Sequence, residues 1–281
     1  MGPKRCVISL ATSDKHFPEG LIRLEQSLRS IGFADDFLPW PPGSFPDGSP
    51  PHIEVPFAFK AFCFLEAKRR GVDLVLWLDS SCVVIRTLDP IFKEIEEGGY
   101  IVFKNSRHML GEWSSDKTLD IFGMSREQAM NIPEINAAAV GLNMNNEVAV
   151  DFLDKWVEQA RGGIAFRGIE EQFDTVDDYQ DVKWNRSNRV SADPRVRGHR
   201  HDQTVAGILA YRLGMKLSTR GLQAYSHERR VVRRKTAILV DRDVGRPDIR
   251  LASLRRIRRD KRLGHVVRLM GTRHPSKRDL G

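Results

Sequence analysis

The chain has 281 residues, of which 41% are hydrophobic, and its formal net charge is +8. This length fits one large domain, or one domain with an appendage, and the apolar fraction is enough for a sizeable core. No apolar run reaches about 18 residues, and the apolar stretch near the start is too short for a signal peptide, so we expect neither a transmembrane helix nor secretion. The widely spaced Cys6, Cys63 and Cys82 favour buried thiols in a reducing, cytoplasmic compartment over a disulfide framework or a zinc site.

The first half of the chain alternates apolar runs with amphipathic stretches. In chain order, the pattern predicts a strand at 6–11, a helix at 21–31, a short strand at 37–38, a proline-rich loop at 39–51, a helix at 57–70 and a strand at 74–78. The loop at 39–51 interrupts an α/β pattern, so it is either an active-site loop or an ordinary surface loop.

The second half continues the same alternation. It predicts a second apolar run at 82–85, helix 91–97, strand 100–103, helical segments 116–122 and 125–130, strand 136–144, helix 147–160, helix 202–213 and a last short strand at 215–217. Residues 105–113 and 161–200 show no regular pattern. The repeated strand–helix order predicts an α/β fold with a mostly parallel sheet flanked by helices.

The C-terminal part of the chain differs from the rest in charge. Residues 228–281 contain 18 Lys and Arg against 6 Asp and Glu, whereas residues 1–227 contain 27 against 31. We therefore divide the chain into a body, 1–227, and a basic extension, 228–281, in which the pattern predicts one or two amphipathic helices. Such an extension suits a solvated face, the nucleic-acid backbone or an anionic membrane surface. The candidate nucleic-acid-binding residues are Arg229, Arg230, Arg233, Arg234, Arg255 and Arg256.

The centre of the pattern is Asp79, which directly follows the apolar run 74–78 and precedes Ser80 and Ser81. In open α/β sheets, ligands bind at the carboxyl ends of strands. An acid at that position is either a turn or cap residue or part of a ligand site.

Several other polar residues are candidates for the same site. Lys60, on a helix rich in phenylalanine, is either a snorkelling lysine or a phosphate ligand. The small residues that follow Asn136 permit either close ligand approach or tight packing. Asp202, at the start of a helix, is an N-cap or a reader of sugar hydroxyls, and His199 and His201 are weak metal candidates.

Five motifs follow one another along the chain: Lys60, Leu76-Trp77-Leu78-Asp79-Ser80-Ser81, Asn136-Ala137-Ala138, Asp202-Gln203 and His227. Their order resembles the GT-A class of nucleotide-sugar glycosyltransferases, nearest to its glycogenin-like and galactosyltransferase-like members. The resemblance spans roughly residues 6–227 and implies a Rossmann-like catalytic domain. It also implies transfer of a sugar from a nucleoside-diphosphate donor, in the first instance a UDP-sugar, to an acceptor hydroxyl.

The resemblance also assigns roles to individual positions. Asp79 would contact the donor and, with His227, a Mn²⁺ or Mg²⁺ ion. Lys60 would meet the diphosphate, and Asp202 is the candidate catalytic base beside Asp79. The implied donor-binding residues are Thr12, Lys60, Asp79, Ser81, Asn136 and Gln203.

The sequence departs from the family pattern at Ser81, which stands where the second acid of an Asp-x-Asp motif is expected. Because Mg²⁺ and Mn²⁺ prefer carboxylate oxygens, this change makes metal dependence an open question. It also leaves room for an inactive nucleotide-binding or nucleic-acid-binding protein of the same fold. The acceptor is a hydroxylated base in DNA, a glycan or a lipid, with a membrane surface as an alternative partner of the extension.

Overall fold

The computed structural model describes residues 2–14, 16–225 and 235–241, without the side chains of Ser106 and Tyr225. Its helices are α1 (Phe17–Ser30), α2 (Phe59–Arg69), α3 (Asp89–Gly98), α4 (Asp116–Ile121), α5 (Arg126–Met130), α6 (Glu147–Gly162), α7 (Ile164–Arg167), α8 (Val176–Trp184) and α9 (His201–Arg212), with a short 3-10 helix at Leu110–Trp113. Its strands are β1 (Arg5–Leu10), β2 (Asp36–Trp40), β3 (Leu74–Leu78), β4 (Cys82–Val84), β5 (Tyr100–Met109), β6 (Pro133–Asn143), β7 (Leu217–Ser218), β8 (Gln223–Tyr225) and β9 (Ile238–Val240).

The main sheet has six strands in the order β2-β1-β3-β6-β5-β7. Strand β1 is parallel to β2 and β3, and β5 is parallel to β7, whereas β6 is antiparallel to both of its neighbours. The prediction of a mostly parallel α/β sheet is therefore confirmed.

Successive strand residues point to opposite faces of the sheet, and each face is covered by helices. Val75 and Trp77 of β3 belong to a core cluster that also contains residues of α2, α6 and α9. Leu74 and Leu76 belong to the opposite cluster, with residues of α1 and α3. A strand buried on both faces reads as a continuous apolar run, which is why residues 74–78 were recognisable in the sequence.

The small residues of β6 serve packing at one end of the strand. A Cβ atom at Gly141 would lie 2.3 Å from Ile95 Cδ1 and 2.7 Å from Ile101 Cγ2, so only glycine allows α3 to approach the strand. At the Gly141 end of β6, the small residues therefore serve tight packing and not the close approach of a ligand.

A second, three-stranded sheet has the order β4-β9-β8. After β3 the chain leaves the main sheet at Asp79-Ser80-Ser81 and forms β4. Strand β4 pairs with β9, with Val83 opposite Leu239. Residues 235–241, which the charge pattern groups with the basic extension, thus contribute a buried strand to the body.

The sequence pattern missed β8 and β9, and it also missed regular structure in two stretches that it left irregular. Strand β5 continues to Met109, although 105–113 looked irregular, because register shifts break its alternation. Helices α7 and α8 lie within 161–200, and each is short, with four and nine residues. None of the helices described here is both long and apolar enough to cross a membrane. The three cysteines are free and buried, as predicted.

Candidate functional site

The candidate site lies at the carboxyl end of β3, where Asp79 follows the last strand residue. The Asp79 backbone N–H donates to Ala138 O at 2.8 Å, which ties the strand end to β6. The Trp77 indole N–H donates to Asp79 Oδ1 at 2.8 Å. The Asp79 side chain is 32% exposed, so part of its carboxylate faces solvent while its orientation is fixed.

Lys60 of α2 joins this strand end to the start of α9. Its ammonium lies 2.9 Å from Asp79 Oδ1 and 2.9 Å from Asp202 Oδ2. It also donates to Ala137 O at 3.1 Å. An ammonium has three N–H donors, which equals the number of these neighbouring oxygens. Lys60 is 4% exposed, which excludes the snorkelling interpretation, and a contact with a diphosphate would have to replace one of the three partners.

The two carboxylates differ in their surroundings. The Asp202 side chain is only 6% exposed, and burial raises its pKa to about 6, although the Lys60 ammonium acts in the opposite direction. Burial alone would lower the pKa of Lys60, but the charges of Asp202 and Asp79 outweigh it and leave that pKa above its ordinary value. The centre therefore keeps a charged lysine and holds one carboxyl that titrates near neutrality.

Two residues with left-handed backbone conformations flank this centre. Phe57 has φ +62° and His201 has φ +46°, and their rings lie 6.0 Å apart. The Lys60 ammonium is 5.6 Å from the centre of the Phe57 ring. Non-glycine residues in this conformation are strained and are concentrated at functional sites. Here they set where α2 and α9 begin, and so where Lys60 and Asp202 point.

The histidines near α9 have structural contacts. One ring nitrogen of His199 bonds the carbonyls of Ala165 and Phe166, both at 3.1 Å, and His201 bonds Phe166 O at 2.9 Å. Burial lowers the pKa of His199 to about 4, so its ring is neutral. The helix is capped at Arg200, which shows that the interpretation of Asp202 as an N-cap is wrong.

The predicted donor-binding amides lie along β6. Gln203 Oε1 accepts from Ala137 N at 3.3 Å, and Asn136 Nδ2 donates to Gln223 Oε1 at 3.1 Å. The other amide atoms, Gln203 Nε2 and Gln223 Nε2, have no hydrogen-bond partner among the described residues. Two fixed amides with unused donors suit ligand hydroxyls or phosphate oxygens. Gln223 was not identified from the sequence, because nothing around it forms a motif.

Thr12 and Ser81 are placed differently from each other. Thr12 follows β1, which neighbours β3, so it lies at the same sheet edge as Asp79, and its hydroxyl donates to Asp14. Ser81 is 7% exposed, and its carbonyl accepts from Arg23 Nη2 at 3.2 Å and from Asp241 N at 2.9 Å. The Ser81 backbone is thus held by α1 and by the end of β9.

The described residues do not form a metal site by themselves. Across residues 2–14, 16–225 and 235–241, no group of three His, Cys, Asp or Glu side chains could hold an ion. Asp79 supplies one carboxylate there, and its Oδ1 atom already accepts from Trp77 and Lys60. His227 and the six candidate arginines, Arg229, Arg230, Arg233, Arg234, Arg255 and Arg256, lie outside the described residues. The metal shared by Asp79 and His227 stays a prediction.

A buried acid that the sequence did not single out lies on the same strand. Glu134 is fully buried and accepts from Asn105 Nδ2 at 2.8 Å and from Arg200. Burial raises its pKa to about 7, against the effects of Arg200, Gln203 and Asn105. Its only sequence signal is its place two residues before Asn136, on the same side of the strand.

No protein-family model matches the sequence, and no curated protein matches it. The chain is similar to three solved glycosyltransferases. The first, involved in glycosylation of the major capsid of PBCV-1, is 14% identical with a TM-score of 0.42, covering 89% of this chain and 100% of that one. Apo mouse xyloside xylosyltransferase 1 is 12% identical with a TM-score of 0.45, covering 84% and 97%. The galactosyltransferase LgtC, in complex with donor and acceptor sugar analogues, is 12% identical with a TM-score of 0.36, covering 89% and 94%.

Proposed function

We propose that the chain is a glycosyltransferase that moves a sugar from a nucleoside-diphosphate donor, a UDP-sugar in the first instance, to an acceptor hydroxyl. The observation that supports this most is the Lys60 ammonium, 2.9 Å from Asp79 and 2.9 Å from Asp202 at the carboxyl edge of the sheet. Ligands of open α/β sheets bind at that edge.

In the proposed reaction, the bond between the sugar and the diphosphate breaks, and the nucleoside diphosphate leaves with the electron pair. The new bond forms to the acceptor oxygen, whose proton must go to a base. Asp202 has a pKa of about 6, which is close to the value that suits a base at neutral pH. If the reaction inverts the configuration of the sugar, Asp202 takes this proton, and Lys60 fixes the position of Asp202 relative to Asp79.

The donor would lie along the strand edge from Asp79 towards Gln203. Asp79 has the exposed carboxylate, and Gln203 and Gln223 offer unused amide donors within the described part of the chain. Asn136, Thr12 and Ser81 complete the proposed donor-binding set. A Mn²⁺ or Mg²⁺ ion, held by Asp79 and His227, would neutralise charge on the leaving diphosphate.

A release assay tests this proposal. The purified chain is incubated with a panel of nucleoside-diphosphate sugars, with Mn²⁺, Mg²⁺ or EDTA, and free nucleoside diphosphate is measured. We expect release from at least one donor and a loss of about 100-fold in Asp79→Asn, the size typical of a lost electrostatic contact in a transition state. Asp36→Asn, at an exposed acid that pairs with Lys4, is the matched control and should leave the rate unchanged.

Two outcomes would contradict the enzyme assignment. No release from any donor in the presence of either metal, combined with measurable nucleotide binding, would favour an inactive nucleotide-binding protein of the same fold. Equal release by wild type and Asp79→Asn would remove Asp79 from the site.

A further inference from the structure

A cluster of aromatic and basic side chains lies beside the start of α9 and has no role in the donor site. We call it the Trp113 surface, formed by His108, Trp113, Trp184, Arg197 and Arg200. The Arg200 guanidinium lies 3.6 Å from the centre of the Trp113 ring, and the Trp184 and His108 rings approach the same indole at 5.9 and 5.4 Å. Arg197 Nη1 lies 3.3 Å from His108 Nδ1. These contacts make one continuous surface.

Its outer part is open to solvent. Trp184 is 47% exposed, although tryptophan usually buries most of its large apolar area. The Arg197 side chain is 54% exposed and that of Arg200 is 24% exposed. An exposed indole between two partly exposed guanidinium groups offers a flat apolar face together with planar anion-binding groups.

The charges on this surface are mostly positive. The Lys183 ammonium lies 5.7 Å from the Trp184 ring. The acid that faces solvent there is Glu112, which is 3.8 Å from Arg197 and 24% exposed. Glu134 pairs with Arg200 but is fully buried. The two guanidinium groups of Arg197 and Arg200, against one partly exposed acid, favour a ligand that carries negative charge.

A buried donor in this cluster also lacks a partner. The Trp113 indole is 5% exposed, and its N–H has no acceptor among the residues that the structure describes. A buried N–H without an acceptor lowers stability, so such groups are uncommon unless a ligand or water satisfies them. An anionic oxygen on the ligand is a suitable acceptor.

The surface is connected to the candidate site. Arg200 caps α9, two residues before Asp202, and its partner Glu134 lies two residues before Asn136 on β6. Gln203 influences the pKa of Glu134 and accepts from Ala137 N. A molecule on the Trp113 surface would therefore sit beside the proposed donor sugar, on the side away from Asp79.

We propose that the Trp113 surface is an acceptor subsite for a sugar ring that carries an anionic group, either a phosphate or a carboxylate. The apolar face of the ring would pack on Trp184, and its anionic group would meet Arg197, Arg200 and the Trp113 N–H. The assignment of this surface as an acceptor subsite rests on the proposed function, whereas the binding of an anionic sugar to it does not.

The surface fits one charged ring better than a nucleic-acid strand. Proteins that hold single strands use several stacking aromatics along a basic groove, whereas Trp184 is one exposed indole. Residues 1–227 also carry 27 basic against 31 acidic residues, so the body would repel a long polyanion.

Calorimetric titration of the full chain without any donor tests this inference. The probes are glucose 1-phosphate, glucuronate, methyl glucoside and an oligothymidylate. We expect at least one anionic sugar to bind, with affinity weakened at least about tenfold in Trp184→Ala and in Arg197→Gln. Tyr211→Ala removes an equally exposed aromatic, at 47%, and Lys93→Gln removes an exposed charge elsewhere; both should bind as wild type does.

Four results would overturn the proposal: no binding of either anionic sugar, equal binding of methyl glucoside, unchanged affinity in both surface variants, or tighter binding of the oligothymidylate that both surface variants weaken, which would assign the surface to nucleic acid. Donor release by the same preparation is measured separately. Release without sugar binding would reject the subsite alone, and sugar binding without release would reject the proposed enzyme alone.

Discussion

Two buried basic side chains hold the segment Asp79-Ser80-Ser81 from opposite ends, and they do so in different ways. Lys60 of α2 binds two carboxylates and one carbonyl, and one of those carboxylates is partly exposed. Arg23 of α1 donates to the carbonyls of Ser81, at 3.2 Å, and Asp241, at 2.6 Å. Both are nearly inaccessible, at 4% and 2% exposure. Lys60 therefore couples the segment to a partly exposed carboxylate, whereas Arg23 couples it to the Asp241 backbone and, at 3.5 Å, to the Asp241 carboxylate beside the small sheet.

Replacement of Lys60 by methionine should have the largest effect. It leaves Asp202 buried without a cation, which typically destabilises a protein by about 3–5 kcal/mol. We expect donor release to fall at least about 100-fold, because the relative position of Asp79 and Asp202 is lost. Urea unfolding and the release assay measure the two effects.

A double variant separates these two losses. Lys60→Met with Asp202→Asn removes the unpaired charge, so most of the stability should return while activity does not. If activity returned together with stability, both Lys60 and Asp202 would be structural residues only.

Replacement of Arg23 by methionine should lower stability by roughly 2–4 kcal/mol, because two buried carbonyls lose a charged donor. Well below the melting temperature, we expect donor release to stay within about fivefold of wild type, since Arg23 contacts no carboxylate of the Lys60 centre. A loss of activity as large as that of Lys60→Met would abolish the distinction between the two basic residues.

The contrast between these residues also shows what sequence reasoning could reach. The resemblance to GT-A glycosyltransferases predicted Lys60, Asp79 and Asp202 as one site, and the structure brings them within hydrogen-bond distance. Arg23 was not predicted, because an arginine on an amphipathic helix looks like any solvated residue. Its partner Asp241 lies beyond the predicted boundary at 227, and no local pattern announces the pairing of β9 with β4.

The same limit applies to the polar groups of β6. The apolar run of β3 is buried on both faces and therefore unmistakable, whereas Glu134 is a buried acid whose partners, Asn105 and Arg200, come from distant parts of the chain. Local patterns predict which face is buried, but they do not predict which charges meet across the fold.

Replacement of Gly20 by alanine tests the Arg23 side of the segment more gently. A Cβ atom at Gly20 would lie 2.6 Å from the Ser80 carbonyl oxygen, so α1 or the segment must shift. We expect a loss of about 1–3 kcal/mol, typical of overpacking, with a smaller loss of activity than in Lys60→Met.

Gly162→Ala is the matched control, because no atom lies within 4 Å of the added Cβ and the residue ends α6. It should be neutral or stabilising by up to about 1 kcal/mol. Equal destabilisation by both substitutions would show that the close approach of α1 to Ser80 has no special cost.

The last prediction concerns pH and the buried acid Glu134. Burial raises its pKa to about 7, above the value of about 4.3 in an unfolded chain. Between these values the folded state binds more protons, so this group makes the protein less stable as pH rises from about 4 to about 7. The measured quantity is the difference between the free energies of unfolding of wild type and of Glu134→Gln. This difference should therefore fall across this range by up to roughly 1 kcal/mol per pH unit. Asp202, whose pKa is about 6, is present in both proteins and cancels in the difference, as do the histidines. A difference that is flat between pH 4 and 7 would show that Glu134 is ionised throughout, and that Arg200 compensates fully for its burial.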